Sequence, residues 1–291
     1  MKEIENHVEL QPYELDVCSE LEKLEIELLL NGIYRYYGHD FRNYAFSSIR
    51  RRIWHRIQIE KLHTVSALLE KVLHDPSMME KLFFDFSINV TEMFRDPSFF
   101  LAFRRKVVPL LGDLPLIRIW HAGCSTGEEA YSMAILLNEE NLLHKTRIYA
   151  TDINENVLEK AKTGYFPLNR MKMYTGNYVA SGGKRAFSEY YKVEGAGVLF
   201  HSFLAENITF APHNLATDSS FNEFHIIICR NVLIYFDKHL QGRVHKLFFD
   251  SLSPGGVLGL GSREALATSN HHHLYEVVDE NEKLYRKIIT N

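Results

Sequence analysis

"IRIWHAGCSTGEEAYSMAILL", residues 117 to 137, governs how the rest of the chain is read. It opens on a short run rich in isoleucine and aromatic residues, as a strand does. It then turns through Gly123 and Gly127 and continues as a helical stretch. A strand, a glycine loop and a helix in that order form a usual seat for a phosphate. Here, however, two carboxylates, Glu128 and Glu129, stand at the helix start and would repel one. The loop has neither the G-x-G-x-x-G spacing of dinucleotide sites nor the G-x-x-x-x-G-K-[ST] spacing of nucleoside triphosphate sites.

The same texture recurs downstream. "TRIYATDI" (146–153), "ITFAPHNL" (208–215), "FHIIICRN" (224–231) and "GGVLGLGS" (255–262) read as short strands. The helical stretches "NENVLEKAKTG" and "DKHLQGRVHKLFFDSL" separate several of them. Alternating strands and helices imply an α/β fold with a mostly parallel, doubly wound sheet. "HLYEVVDENEKLYRKII" (273–289) reads as a closing antiparallel hairpin. Residues 164 to 205 break the rhythm and are expected to form a small inserted subdomain of β structure.

Upstream, residues 19 to 86 show no strand-like alternation. "ELEKLEIELLLNGIYRYYG" places Leu21, Leu24, Leu28 and Ile33 at roughly helical spacing, with Gly38 as a stop. "YAFSSIRRRIWHRIQI" and "TVSALLEKVLHDP" follow, the latter ending at Pro76. A small all-helical domain is expected here.

The composition agrees. The chain has 291 residues, 46% hydrophobic and 24% charged, with a formal net charge of −4. That supports a buried core and gives no sign of wholesale nucleic-acid binding. Cys18, Cys124 and Cys229 form no C-x-x-C pair, which argues against a zinc ribbon or a disulfide framework. No apolar run reaches transmembrane length and the first ten residues lack a signal-peptide core. A soluble, cytoplasmic protein is expected.

In an open α/β sheet, ligands bind beyond the carboxyl ends of the strands. The glycine loop, Asp152 at the end of the second strand and the "CRN" of Arg230 and Asn231 all fall there. An acid closing the second strand can accept hydrogen bonds from ribose hydroxyls. S-adenosylmethionine suits this set: it carries a ribose, a sulfonium and an ammonium, and no phosphate. The plainer readings are a helix cap or turn for Asp152 and dipole complementation for Glu128 and Glu129.

These segments resemble the CheR-type chemotaxis receptor methyltransferases over roughly residues 15 to 290. The resemblance rests on "NVTEMFRDPSFF" (89–100), "STGEEAYSMAILL" (125–137), "ATDINENVLEKAKTG" (150–164), "HNL" (213–215) and "CRNVLIYFDK" (229–238), in that order. It implies a Rossmann-like class I methyltransferase domain with a small inserted β subdomain, behind a small all-helical domain. The expected division is a helical, substrate-recognising domain over residues 1–88 and a linker with a cofactor-contacting motif over 89–112. The methyltransferase domain then covers 113–291, including the subdomain at about 164–205.

The implied activity is transfer of a methyl group from S-adenosylmethionine to glutamate carboxylates of a chemoreceptor, leaving S-adenosylhomocysteine. By resemblance, Asn89, Thr91 and Arg95 help hold the cofactor, and Glu129 lies near its methionine portion, with Glu128 as the alternative. Asp152 binds the ribose, Asn214 and Leu215 frame the adenine, and Arg230 and Asn231 line the floor. Arg95 and Tyr235 are the expected catalytic residues; Tyr235 read by spacing alone is equally a core aromatic. His121 and Cys124 stand where the family commonly has small residues.

A solvated glutamate has a pKa of about 4.3 and is already ionised near neutral pH, so methylating it requires no general base. Alignment is what the enzyme must supply, and near-attack positioning contributes on the order of 7–11 kcal/mol. Strong cationic clamps on the attacking oxygen would over-stabilise the reactant, so Arg95 is expected to touch it little and Tyr235 to offer a neutral hydrogen bond.

"SSIRRRIWHRI" carries Arg50, Arg51, Arg52 and Arg56. Without the resemblance this is a solvated face. With it, Arg52 and Arg56, four residues apart on one face, are expected to bind the acidic receptor helix. The expected partner is the cytoplasmic helical region of a chemoreceptor or related signalling protein, met by a monomer with no nucleic acid and no membrane insertion. "NHHHLY" (270–275) reads as a solvated loop, and no metal is expected. A methyltransferase on another acceptor and a non-catalytic S-adenosylmethionine sensor remain alternatives at this level.

Overall fold

Alternation along the central strand organises the larger part of the molecule. In the computed structural model, which describes residues 18–87, 90–266 and 271–289, β1 (Ile117–Ala122) sends Ile117 and Ile119 into one core and Trp120 and Ala122 into another. This is the two-residue period of a strand buried on both faces. β1 pairs in parallel with β2 (Thr146–Asp152) on one side, where Ile119 lies opposite Ile148. On the other side β1 runs parallel to β7 (Phe224–Cys229), with Ile119 opposite Ile226.

The chain builds outward from β1 to β2 and then β6 (Ile208–Pro212). It returns to the other side of β1 for β7 and β8 (Leu252–Leu260). β9 (Tyr275–Asp279) and β10 (Leu284–Lys287) close the sheet as an antiparallel hairpin, with β10 against β8. The order β6-β2-β1-β7-β8-β10-β9 therefore reverses direction between β1 and β7. A crevice opens beyond the carboxyl ends of strands at such a switch point.

Helices cover both faces. α6 (Glu128–Glu139) buries Met133, Ala134, Ile135, Leu136 and Leu137 on one side, beside Phe99, Phe100 and Phe103 of α5 (Pro97–Ala102) and the π-helical turn after it. α10 (Lys238–Ser251) closes the other side with Leu240, Val244 and Phe248 around Trp120. α7 (Glu155–Thr163) follows β2, starts at an Asn154 cap and ends at Gly164 in the left-handed region.

The segment expected to hold β structure forms a three-stranded antiparallel sheet of β3 (Tyr165–Pro167), β5 (Gly197–Phe200) and β4 (Tyr191–Glu194). α8 (Met171–Ala180) lies within it, and the four-residue α9 (Ser202–Ala205) leads back to β6. Phe166 and Phe200 pack edge-to-face with each other and against Tyr131 of α6, which fastens the subdomain to the main core.

Residues 20–86 form α1 (Glu20–Tyr37), α2 (Phe46–Ile59), α3 (Val65–His74) and α4 (Pro76–Phe86) around a separate core. The stripe read from the sequence is only partly right. Ile33 is buried, but Leu21, Leu24 and Leu28 are 66%, 52% and 51% exposed, and Ile26, Leu29 and Leu30 are buried instead. Glu22 helps set this orientation. Arg50 grips its carboxylate at 2.6 and 3.0 Å and the Trp54 indole donates to it at 2.5 Å. The Arg50 guanidinium holds the Glu22 pKa down at about 2. A face carrying that network turns inward toward α2, and the leucines on the other side go to solvent.

The helical domain meets the sheet domain through backbone. Ala45 N–H donates to the Tyr235 carbonyl at 2.8 Å, and Asp237 N–H donates to the Asn43 carbonyl at 2.9 Å. Tyr44 packs edge-on against Phe236 across this bridge. No described helix is long and apolar enough to cross a membrane.

Candidate active site

The crevice at the β1/β7 switch point is a cleft with about 930 Å³ of empty space, part of it open solvent. It is lined by Thr91, Arg95, Glu129, Asp152, Asn214, Leu215, Arg230, Asn231 and Tyr235, all of them predicted from the sequence. Asn89 lies outside the described residues.

The glycine loop turns back on the end of β2. Gly123 and Cys124 N–H both donate to the Thr151 carbonyl, at 2.8 and 2.9 Å. Gly127 opens α6 at φ +92°, and a Cβ there would stand 2.9 Å from that of Ala161. Only glycine meets both demands without displacement.

Asp152 is part of this construction. Its Oδ2 accepts the Ser125 N–H at 2.9 Å and its Oδ1 accepts the Asn154 N–H at 3.0 Å. The turn reading of this residue is thus correct, and the carboxylate also lines the cleft. Two such bonds leave acceptor capacity on an ionised carboxylate, which has about four lone-pair directions. Burial pushes the Asp152 carboxyl pKa up, against the N–H groups of Asn154, Ser125 and Ile153, which favour the ion.

The two adjacent glutamates part company. Glu129 lines the cleft, accepting from Arg230 at 3.0 Å and facing His121 Nδ1 at 2.9 Å. Burial opposes its ionisation, but His121 and Arg230 together hold its carboxyl below the ordinary range. Glu128 turns away from the cleft. It takes the Thr126 hydroxyl at 2.6 Å and the Tyr174 hydroxyl at 3.4 Å, and burial pushes its carboxyl up.

Arg230 does structural work at the floor. One nitrogen reaches the Arg95 carbonyl at 2.9 Å and Asp96 Oδ2 at 2.7 Å, while Phe99 lies 4.2 Å beneath the guanidinium. It thereby pins the segment in which Phe94 and Asp96 both adopt left-handed backbone, at φ +50° and +53°. Ser132 Oγ accepts the Phe94 N–H at 2.9 Å, and Asn177 donates to the Met93 carbonyl at 3.0 Å. Such bulky left-handed residues cost of order 1–3 kcal/mol each, and these anchors hold them. Arg95 itself faces the cleft and donates to the Val90 carbonyl at 3.1 Å.

The two arginines expected to bind a partner have different fates. Arg56 makes a two-pronged ion pair with Asp85, at 2.7 and 2.9 Å, and reaches Glu60 at 3.3 Å. Its charge is answered inside the helical domain. Arg52 lies buried behind two cleft residues, Tyr235 and Phe86. Its guanidinium lies 5.0 Å over the Tyr235 ring and donates to the Phe86 carbonyl at 3.3 Å. No carboxylate among the described residues comes within 4 Å of it. Burial holds its pKa down at about 10, so it stays a cation at neutral pH.

Sequence reading missed three contributors. Tyr44 and Phe86 reach the cleft from the helical domain, and no local motif marks them. Glu264 lies behind the cleft floor, in the turn just after β8, in a stretch with no recognised pattern. The cleft as a whole offers two carboxylates and no lysine. A ribose and positively charged groups have acceptors in Asp152 and Glu129, and two arginines, Arg95 and Arg230, line the same space.

Known proteins extend this picture. A family model described as the all-alpha domain of CheR methyltransferases matches residues 24–87, and one for their SAM-binding domain matches residues 89–283. The chain is 50% identical over 264 residues to "Putative methyltransferase Cher3" of Pseudomonas putida, covering 91% of this chain and 97% of that one. It is 31% identical over 231 residues to the chemotaxis protein methyltransferase of Listeria innocua, covering 79% and 85%. It is 29% identical over 251 residues to chemotaxis protein methyltransferase 2 of Pseudomonas aeruginosa, covering 82% and 85%.

Proposed function

The chain belongs to the CheR methyltransferase family, and from that premise we propose which of its own residues perform the reaction. It is an S-adenosylmethionine-dependent protein-glutamate O-methyltransferase that esterifies glutamate side chains of a chemoreceptor. The bound cofactor supplies an electrophilic methyl group on a sulfonium. The cleft suits such a molecule: Asp152 retains acceptor capacity for ribose hydroxyls, and Glu129 is an ionised partner for a positive group.

In this reading Asp152 holds the ribose and Asn214 with Leu215 frames the adenine. The Asn214 side chain accepts the Ala216 N–H at 2.9 Å, which keeps that turn rigid against the cleft. Glu129 takes the methionine portion, steadied by His121 and Arg230. Thr91 and Arg95 close the cleft from the segment after the helical domain. We assign that segment, residues 89–112, as the linker between a recognition domain and the methyltransferase domain.

The acceptor arrives ionised, so the residues need only align it. Tyr235 offers a neutral hydroxyl beside the transfer point, and Arg95, bonded to the Val90 carbonyl, bounds the space without clamping the nucleophile. Arg52 is the receptor contact. A buried cation without a carboxylate partner is costly, and an acidic side chain of the docked receptor helix relieves that cost beside Tyr235.

A single observation carries this reading: one lysine-free cleft gathers Asp152, Glu129, Arg95 and Tyr235 at the switch point. The test is transfer of labelled methyl from S-adenosylmethionine to a recombinant cytoplasmic helical fragment of a chemoreceptor from the same genome. The label should leave as methanol under mild alkali, as from an ester. An alkali-stable product would refute glutamate esterification.

A further inference from the structure

The turn that leaves β7 carries four cleft residues, Asn231, Val232, Tyr235 and Phe236, and one buried carboxylate holds its start. Glu264, only 4% exposed, accepts four backbone N–H groups. Its Oε1 takes those of Val232 at 2.9 Å and Leu233 at 2.7 Å. Its Oε2 takes those of Asn231 at 3.2 Å and Gly261 at 2.6 Å. Three of the four donors are consecutive residues. Asn231 stands in left-handed backbone at φ +62°, so the turn is bent where the carboxylate grips it.

The grip is transmitted to Tyr235. Tyr235 N–H donates to the Val232 carbonyl at 3.1 Å and Phe236 N–H to the Leu233 carbonyl at 3.0 Å, so residues 232 and 233 set the position of 235 and 236. The far end of the turn is clamped by Asn43 and Ala45 of the helical domain. Space around the carboxylate is fully used: a Cβ on Gly261 would lie 2.8 Å from Glu264 Oε2 and 2.9 Å from the Asn231 nitrogen. Glu264 does not itself line the cleft.

We propose that Glu264 is a positioning residue for methyl transfer, whose carboxylate gathers these four N–H groups and fixes the turn that presents Asn231 and Tyr235 to the cleft. The proposal rests on the role given to Tyr235 above. Glutamine has the same shape, but its amide group cannot accept and must face N–H donors. Neutral and shape-conserving, it loosens the turn without emptying the space.

The experiment compares wild type, Glu264→Gln, Tyr235→Phe and the double variant, measuring kcat with the receptor fragment, S-adenosylhomocysteine affinity by calorimetry, and melting temperature. Glu264→Gln should lower kcat at least tenfold with a smaller loss of affinity, since Asp152 and Asn214 are untouched and only Asn231 is loosened. In the double variant the two losses should combine to less than their product, because both act on one group. Wild-type kcat in Glu264→Gln overturns the proposal. So do losses that multiply in full, or a fall in kcat that merely follows the folded fraction. A silent Tyr235→Phe beside a defective Glu264→Gln would refute the role of Tyr235 and leave Glu264 acting through Asn231. If Glu264→Gln does not fold, Glu264→Asp keeps the charge but falls one methylene short of its four donors. It should show the same loss of kcat, and wild-type kcat there would overturn the proposal equally.

Discussion

Replacing Asp152 by asparagine tests whether this carboxylate serves the loop alone or the ligand as well. The wild-type oxygens each accept one backbone N–H, from Ser125 at 2.9 Å and from Asn154 at 3.0 Å. Asparagine keeps one acceptor oxygen, and its amide must confront the other donor. A hydrogen bond to a charged group contributes about 1.5–3 kcal/mol and a neutral one about 0.5–1.5. Losing the charge toward a ribose hydroxyl therefore costs about 1–2 kcal/mol, and the strained loop adds about 1–2 kcal/mol. The sum, about 2–4 kcal/mol, corresponds to roughly 30- to 1000-fold weaker binding. The assay is calorimetric titration with S-adenosylhomocysteine near neutral pH, with circular dichroism and melting to confirm folding. Affinity within threefold of wild type in a folded variant would refute the ribose role. The pH dependence has a definite sign. Burial raises the Asp152 pKa, and protonation places a donor on an oxygen that should accept. Wild-type affinity should fall as pH drops, starting at a higher pH than an ordinary aspartate would give, and that limb should vanish in Asp152→Asn.

Other substitutions separate binding from stability. Arg52→Ala should reduce kcat/KM for the receptor fragment at least tenfold with cofactor affinity unchanged, and full methylation would dismiss the receptor contact. Arg56→Ala strands Asp85 and should cost about 3 kcal/mol of stability, seen by denaturant unfolding, with a smaller effect on methylation per folded molecule. Gly127→Ala forces a Cβ to 2.9 Å from Ala161 at a left-handed position. It should shift the start of α6 and with it Glu129, weakening S-adenosylhomocysteine binding at least tenfold by calorimetry.

Local chemistry made much of this molecule legible. The period-two strands, the glycine turn and the helical stretches are written in neighbouring residues, so the parallel sheet and its closing hairpin could be read along the chain. Asp152 and the glycine loop were legible for the same reason: a ligand beyond the strand ends draws on residues at element boundaries. Relations between distant segments were not. Glu128 and Glu129 are neighbours on one helix, and only the way α6 lies on the sheet turns Glu129 to the cleft and Glu128 toward Tyr174. Arg52 and Arg56 share a helical face, yet Asp85 reaches one and not the other. α1 offers two apolar stripes, and the ion pair of Glu22 with Arg50 favours the one that is buried. Glu264 acts 33 residues away from Asn231. A carboxylate that binds backbone N–H groups leaves no mark in their side chains, so only the folded chain brings donor and acceptor together.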